Sequence, residues 1–223
     1  MTICIAALSD NCEGCVLGSD QMTTAHFPIG YEFESDEVEK IVEIADATYV
    51  LISGDVLFAD SVLELVKQKF RDGSIKSISE VAEAVRVAYQ EVRKLHVIRT
   101  ELEPRGLDIN SYYQTQQRLV TAIVQMIDQA FRGYNPGVEF IVSGKDSSGC
   151  HIYTIQNPGE LRRHDAIGFA AIGTGGPHAV YSMIESSYKK SLDKEAVEKL
   201  VKKAKTRSEV APGVGKKTKI VSI

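Results

Sequence analysis

The arrangement of β-prone runs along the chain is the feature that most constrains its fold. Residues 2–9 and 15–20 are two such runs separated by a short polar link, and residues 40–44 and 48–53 form a second pair. Links this short are typical of β-hairpins, whereas parallel strands need a crossover of about a dozen residues or more. The chain therefore predicts antiparallel hairpins and argues against a doubly wound parallel sheet.

Helical periodicity follows the second hairpin. Apolar residues recur at three- and four-residue steps from Ala59 to Phe70, which predicts an amphipathic helix. Ser77 and Glu80 have the spacing of a capping box and predict the start of a second helix that reaches about Ile98. We expect further helices over about 119–130, 178–190 and 193–207, and strands over 138–143, 151–155, 168–173 and 218–223.

The runs 48–53 and 168–172 contain almost only apolar or small residues, as strands buried on both faces do. Two antiparallel sheets, covered by helices on both outer faces, satisfy the whole pattern best. We therefore predict an α+β fold, with residues 1–223 as one domain. The stretch at about 101–132 is predicted to be a connection followed by a helix.

Composition and charge exclude some classes of function. The chain has 223 residues, 43% hydrophobic content and a formal net charge of -4, which does not favour binding to nucleic acid or to an anionic membrane. It contains neither a long apolar run nor the pattern of a signal peptide, so we predict a cytoplasmic protein with no membrane partner. The acidic stretch 32–39 and the basic stretch 189–207 are interpreted as solvated faces or subunit contacts, with an electrostatic docking surface as the less favoured alternative.

The cysteines and histidines show little sign of metal chemistry. Cys12 and Cys15 flank a Glu-Gly pair and are interpreted as a turn between strands, with a metal or redox pair as the alternative. The five histidines form no pair with metal-ligand spacing, and Gly173–Gly176 lacks the Lys-Ser/Thr ending of a phosphate loop. We expect no metal and no organic cofactor.

The threonine at position 2 carries chemistry of its own. Once Met1 is removed, Thr2 has a hydroxyl nucleophile beside its own α-amine, which can act as a base. Three other polar or small residues, Asp20, Lys40 and Gly54, stand at the predicted ends of strands. Each of them has an ordinary structural interpretation. Asp20 can cap a turn, Lys40 can form a surface ion pair, and Gly54 can simply occupy a turn.

Four segments occur in a consistent order and spacing. They are Thr2-Ile3, Gly18–Ala25, Lys40–Ile44 with Ser53-Gly54 following, and Ile172–Gly175 with Ala179-Val180-Tyr181 following. Together they resemble the proteasome β-type subunits of the N-terminal nucleophile hydrolases over most of the chain. The resemblance implies a four-layer αββα sandwich, in agreement with the two antiparallel sheets predicted above.

The resemblance also implies roles for five residues. The Thr2 hydroxyl attacks a carbonyl while the freed α-amine accepts its proton. Lys40 depresses the pKa of that amine, and Asp20 keeps Lys40 charged and oriented. The backbone N–H of Gly54 faces the developing oxyanion. Thr174 helps to position the amine, with a plain turn residue as the alternative.

The implied function is a threonine-type amide hydrolase, a peptidase that acts on a peptide or protein substrate within a homo-oligomer such as a ring. One alternative is a non-catalytic proteasome-like subunit for assembly or binding, and another is amide transfer or ligation through the same acyl-enzyme. The connection and helix at about 101–132 resemble a helical insertion into the family's second-helix region. The chain also departs from the family pattern at Met22, where an Arg is common. It also lacks the Arg-Asp-x-x-Ser-Gly pattern at 207–213, where Ser208 and Glu209 are the candidate replacements.

Overall fold

The computed structural model describes residues 2–26, 32–35, 38–71 and 76–223. The strands are β1 (Cys4–Ser9), β2 (Gly14–Asp20), β3 (Thr23–His26), β4 (Glu32–Ser35), β5 (Ile41–Ala45), β6 (Thr48–Ser53), β7 (Glu139–Asp146), β8 (Gly149–Gln156), β9 (Glu160–Arg163), β10 (Phe169–Ile172) and β11 (Thr218–Ser222). The helices are α1 (Val56–Lys69), α2 (Ile78–Val97), α3 (Ile109–Thr115), α4 (Thr121–Gly133), α5 (Gly176–Glu185) and α6 (Lys194–Ser208).

The strands form two main sheets and a small hairpin. The first sheet has the order β10-β1-β2-β11 and the second the order β5-β6-β7-β8-β9, while β3 pairs with β4. Every strand pair is antiparallel. The predicted antiparallel hairpins and the prediction of two sheets are therefore confirmed.

The side chains of β1 show how the layers are built. Because neighbouring residues of a strand point to opposite faces, Ile3, Ile5 and Ala7 pack towards the helices, whereas Cys4, Ala6 and Leu8 face the second sheet. The contacts between the two sheets form a continuous apolar layer that includes Leu17, Leu51, Ile141 and Ile152. Each sheet is thus buried on both faces, as predicted.

Helices cover the two outer faces. Helices α5 and α6 pack on the first sheet through a cluster that includes Met183, Val197 and Val201. Helices α1 and α2 pack on the second sheet through a cluster that includes Val62 and Val85. The order of layers is helices, sheet, sheet, helices, which confirms the predicted αββα sandwich.

The capping box that predicted the start of α2 is present in a shifted form. The Ser77 hydroxyl accepts a hydrogen bond from the N–H of Glu80 at 3.3 Å. The Glu80 carboxylate accepts from the N–H of Lys76 at 3.3 Å, one residue earlier than in the usual reciprocal pair. Both bonds satisfy donors at the helix start, which explains why the sequence located this terminus correctly.

The structure differs from the sequence predictions in short elements. Helix α3 and the strands β3, β4 and β9 were not predicted, and α5 ends at Glu185 instead of continuing to residue 190. The early end of α5 coincides with Ser187, whose φ of 54° does not fit a right-handed helix. Helices α3 and α4 share a small core of Leu102, Tyr112 and Ile127. The insertion at about 101–132 stays a prediction.

Candidate active site

The registers of the first sheet bring distant parts of the chain to one edge. Cys4 pairs with Ser19 of β2 and with Ile172 of β10, so the residues that follow those two strands lie beside Thr2 and Ile3. The N–H of Ile3 donates to the Asp20 carboxylate at 3.0 Å. The N–H of Asp20 donates in return to the carbonyl of Ile3 at 3.2 Å. The start of β1 and the end of β2 are thereby fixed to each other.

Lys40 connects Thr2 with Asp20. Its Nζ lies 2.8 Å from Thr2 Oγ1 and 2.8 Å from Asp20 Oδ1, and all three residues are buried. The N–H of Ile52 donates to the Lys40 carbonyl at 2.9 Å, which fixes Lys40 against β6. An ammonium ion that donates to a hydroxyl oxygen leaves the proton of that hydroxyl available to another acceptor.

Four donors hold the Asp20 carboxylate. Oδ1 accepts from Ile3 N and Lys40 Nζ, and Oδ2 accepts from the N–H groups of Gly215 at 2.9 Å and Met22 at 3.3 Å. A buried carboxylate held by this many donors keeps a fixed orientation. Gly215 was not among the predicted site residues, because 195 positions of sequence separate it from Asp20.

The turn after β10 surrounds the backbone of Thr2. Thr174 Oγ1 lies 3.3 Å from Thr2 N, and the N–H of Gly175 donates to the Thr2 carbonyl at 3.2 Å. Gly173 has a φ of 89°, and a side chain there would clash with the Thr2 carbonyl. A glycine at this position therefore allows the close approach. Thr174 contacts Thr2 directly, and its role in positioning the amine stays a prediction.

Gly54 follows the last residue of β6. Its φ is 106°, and a Cβ there would clash with the carbonyl oxygen of Gly137. Among the residues that the structure describes, no backbone carbonyl accepts the N–H of Gly54. Gly54 also lines the cavities on both sides of the site, so a substrate could approach this N–H.

Two adjoining cavities lie beside the site. The first contains about 500 Å³ out to its mouth, and its walls include Thr2, Lys40, Val42, Ile52 and Val56. The second contains about 1050 Å³ out to its mouth, and its walls include Ser53, Glu139, Gln156, Asn157 and Thr174. Gly54 lines both, so the two cavities meet there and form one cleft, with Thr2 in the wall of its first part.

Glu139 supports this cleft and was not found from the sequence. One of its carboxylate oxygens accepts the N–H of Gly173 at 2.8 Å, and the other accepts the side-chain amide of Gln156 at 2.9 Å. The first bond fixes the turn that contacts Thr2. The only available signal was the position of Glu139 at the start of a predicted strand, which is too general to indicate a site.

The segment that departs from the family pattern lies behind Thr2. Ser208 Oγ lies 3.0 Å from the carbonyl of Gly175, whose N–H holds the Thr2 carbonyl, so Ser208 supports the turn from behind. Glu209 pairs instead with Lys205, at 2.7 Å. Lys205 has no exposed surface, so the interpretation of the whole basic stretch as a solvated face or a contact surface is wrong for this residue.

The cysteines are poor candidates for chemistry. Burial raises the pKa of Cys15 to about 12, and that of Cys150 to about 11, so both thiols stay protonated at neutral pH. Cys4 is also fully buried, and burial raises its pKa well above the usual range. Within the described part of the chain, no group of three or more His, Cys, Asp or Glu side chains has a geometry suited to a metal ion.

None of the described helices is both long enough and apolar enough to cross a membrane.

The sandwich fold also occurs in a solved crystal structure. The crystal structure of eukaryotic HslV from Trypanosoma brucei matches it with a TM-score of 0.60, over 99% of this chain and 98% of that one, at 16% sequence identity. The two proteins therefore share their fold.

The family is shown by sequence. The profile of the family described as "Proteasome subunit" matches residues 95–208, just over half of the 223 residues, and the chain therefore belongs to this family. It is 32% identical over 84 residues to proteasome subunit beta 1 of Korarchaeum cryptofilum (strain OPF8). That match spans 38% of this chain and 39% of the relative. The resemblance inferred from the four sequence segments is thus confirmed.

Proposed function

We propose that the protein is a threonine-type amide hydrolase that cleaves peptides, with Thr2 as the nucleophile once Met1 has been removed. The observation that carries this proposal is the position of Lys40 Nζ, 2.8 Å from both Thr2 Oγ1 and Asp20 Oδ1, at the edge of an open cleft. A buried cation fixed against a hydroxyl oxygen stabilises negative charge as it develops on that oxygen.

In the first step, Thr2 Oγ attacks the substrate carbonyl and its proton passes to the α-amine of Thr2, directly or through water. The C–O bond forms as the carbonyl π pair moves onto oxygen, where the N–H of Gly54 donates to it. The oxyanion then re-forms the carbonyl, the C–N bond breaks, and the leaving amine takes the proton from the α-ammonium group. The product is an ester of Thr2.

In the second step, a water molecule attacks the ester while the α-amine takes its proton. Collapse of this intermediate releases the acid and returns the proton to Thr2 Oγ. Thr174 contributes by holding Thr2 N at 3.3 Å. An added amine in place of water would give amide transfer, which is the alternative reaction of the same intermediate.

The cleft suits an extended peptide. The cavity that Thr2 lines has Val42, Ile52 and Val56 in its wall, and the cavity that meets it at Gly54 has Gln156 and Asn157 in its wall. A peptide that crosses Gly54 would place one side chain in each cavity.

We further propose that the chain works in a homo-oligomer, because the relative in Korarchaeum is itself named as a subunit. Sedimentation as a monomer at micromolar concentration would remove this part of the proposal.

The test of the reaction uses a mixed peptide library and mass spectrometry of the products, with the protein purified from cells. The wild type is expected to release fragments, Thr2→Ser to retain a measurable part of this rate, and Thr2→Ala to release none while it stays folded. Thr206→Ala, which removes an exposed threonine hydroxyl on α6, is the matched control and should behave like the wild type.

Cleavage by Thr2→Ala at the wild-type rate would contradict the proposal. An inactive wild type that keeps Met1 and still assembles would instead indicate a subunit for assembly or binding.

A further inference from the structure

One lysine of the basic helix α6 is inside the protein. Lys205 has 0% exposed surface, whereas the side chain of Lys202 on the same helix is 56% exposed. Lys205 falls on the buried stripe of α6, together with Val197, Val201, Ala204 and Ser208. A lysine in such a stripe needs acceptors for its ammonium group, because burial of an unpaired charge is strongly destabilising.

The acceptors of Lys205 belong to the segment 209–216, which connects α6 to β11. Its Nζ donates to the Glu209 carboxylate at 2.7 Å and to the backbone carbonyl of Lys216 at 2.6 Å. Glu209 lies one helical turn beyond Lys205, and Lys216 lies eleven positions beyond Lys205 in sequence. The ammonium group therefore joins the end of α6 to the end of the connecting segment.

This segment reaches the candidate active site at the residue next to Lys216. The N–H of Gly215 donates to Asp20 Oδ2 at 2.9 Å, and Gly215 itself is buried. A side chain at Gly215 would clash with Met22, so the backbone has little room to move there. The other oxygen of the same carboxylate, Oδ1, binds Lys40 Nζ at 2.8 Å. The orientation of Asp20 thus depends on where the segment holds the Gly215 N–H.

We propose that Lys205 is a positioning residue for the Thr2 centre. It fixes the carbonyl of Lys216, the adjacent Gly215 N–H then holds Asp20 Oδ2, and Asp20 Oδ1 aligns Lys40 with Thr2 Oγ1. This inference rests on the proposed function, because it describes the support of the same nucleophile. Lys205 touches none of the reacting groups, and its effect passes through Asp20.

The experiment measures the reaction of Thr2 with an N-terminal-threonine electrophile by intact mass, over a range of reagent concentrations. Such a series separates the maximal rate of adduct formation from the affinity for the reagent. Lys205→Met is expected to lower the maximal rate about tenfold and to leave the affinity unchanged, since small displacements of a catalytic group reduce rate more than binding. Lys205→Arg, which keeps a cation and its donors, is expected to recover most of the rate.

Two further variants separate positioning from stability. Glu209→Gln removes the ion pair but leaves the Lys216 contact, so we expect a lower melting temperature and a nearly normal maximal rate. Lys202→Met removes an exposed ion pair with Glu198 at the same spacing on the same helix and should change neither quantity. Hydrogen exchange at the Gly215 amide provides a readout that does not need a reactive Thr2, and it should accelerate in Lys205→Met only.

The inference is overturned if Lys205→Met forms the adduct at the wild-type rate, or if Glu209→Gln loses as much rate as Lys205→Met. It is also overturned if the Gly215 amide exchanges at the same rate in Lys205→Met and in the wild type. A wild type that forms no adduct contradicts the proposed function instead, so the two failures are distinguishable.

Discussion

Two clusters, one at an edge of the first sheet and one at the β7–β8 turn of the second, each place a hydroxyl beside a chain of charged groups. At one end Asp20, Lys40 and Thr2 are linked by contacts of 2.8 Å. At the other end, Asp165 Oδ2 lies 2.7 Å from His151 Nδ1, and His151 Nε2 lies 2.7 Å from Ser148 Oγ. The second cluster has the order of a Ser-His-Asp triad, so order and distance alone do not separate a reactive centre from a structural one.

The difference lies in the charged group that contacts each hydroxyl. Ser148 Oγ also lies 2.7 Å from Asp146 Oδ1, a carboxylate that accepts the N–H of Ser148 as well. A serine hydroxyl that donates to this carboxylate can only accept from His151. At Thr2 the charged group in contact with Oγ1 is a donor, Lys40 Nζ, at 2.8 Å. A cation in this position stabilises negative charge on the oxygen, which a carboxylate does not.

The charge state of the second cluster fits this account. Burial alone would raise the pKa of Asp146, but hydrogen bonds from Ser148 and Ile78 and the nearby His151 outweigh it and lower the pKa to about 2. The pKa of Asp165 is lowered in the same way. Burial would raise it, but hydrogen bonds from Ile152, His151 and Arg163 outweigh burial. Both carboxylates therefore stay ionised at neutral pH and stabilise the fold.

Replacement of Lys40 by Met should have the largest effect that separates the two clusters. It removes the cation that faces Thr2 Oγ1, and we expect adduct formation at Thr2 to fall by about 10²–10³-fold, the usual cost of losing a group that stabilises a developing anion. Arg163→Met, which removes a cation from the second cluster, should leave this rate unchanged. Equal rates for Lys40→Met and the wild type would show that the first cluster is also structural.

Replacement of Asp146 by Asn should affect stability alone. Asp146 accepts the N–H of Ile78 at the start of α2, at 3.0 Å, in addition to its bonds with Ser148. Loss of the charge from such a hydrogen-bonded group should lower the free energy of unfolding by about 1–3 kcal/mol, measured by urea denaturation. The adduct rate per folded molecule should not change. A large loss of that rate would mean that the two clusters are coupled.

The same carboxylate predicts a pH dependence of stability. The folded-state pKa of Asp146 is about 2, below its ordinary value of 3.8, so the unfolded chain binds this proton more tightly. The stabilisation is complete above about pH 4 and is lost as the pH falls towards 2. Urea denaturation of the wild type should weaken over this window, and Asp146→Asn should show a smaller change. Parallel curves for the two proteins would contradict the assignment.

Replacement of Thr174 by Val should have the smallest effect on the reaction. It removes the oxygen that lies 3.3 Å from Thr2 N and keeps the shape of the side chain. One neutral hydrogen bond is worth about 0.5–1.5 kcal/mol, so we expect the adduct rate to fall about 2- to 10-fold. A Thr174→Ser variant keeps the hydroxyl and should retain the wild-type rate. An unchanged rate in Thr174→Val would favour the interpretation of Thr174 as a plain turn residue.

The fold was largely predictable because its signals are local. The hairpin of β1 and β2, the capping box at Ser77 and the long stripes of α2 and α6 each lie within a short stretch of sequence. Strand β9 is only four residues long, and its sequence Glu-Leu-Arg-Arg has a single apolar side chain. Helix α3 contributes only Tyr112 to a buried core and follows Pro104 and Gly106, so its sequence reads as a connection.

The site was predictable only in part, for a related reason. Thr2, Asp20, Lys40, Gly54 and Thr174 stand at the ends of strands with a recognisable spacing. Four of them line the cleft, and Asp20 is buried in contact with Lys40. Glu139, Gly215 and Lys205 act through contacts that only the folded chain creates. The sequence did indicate that Lys205 is buried, because this residue occupies a position on the apolar stripe of α6. The exposed lysines near it made this indication hard to recognise.

The most direct measurement of the central claim is the intact mass of the protein purified from cells, before and after treatment with an electrophile selective for an N-terminal threonine. The account predicts a mass that lacks one Met and gains one adduct, which fragmentation places on Thr2 and which Thr2→Ala does not form. A mass that retains Met1 and gains no adduct would contradict the claim that Thr2 is a nucleophile.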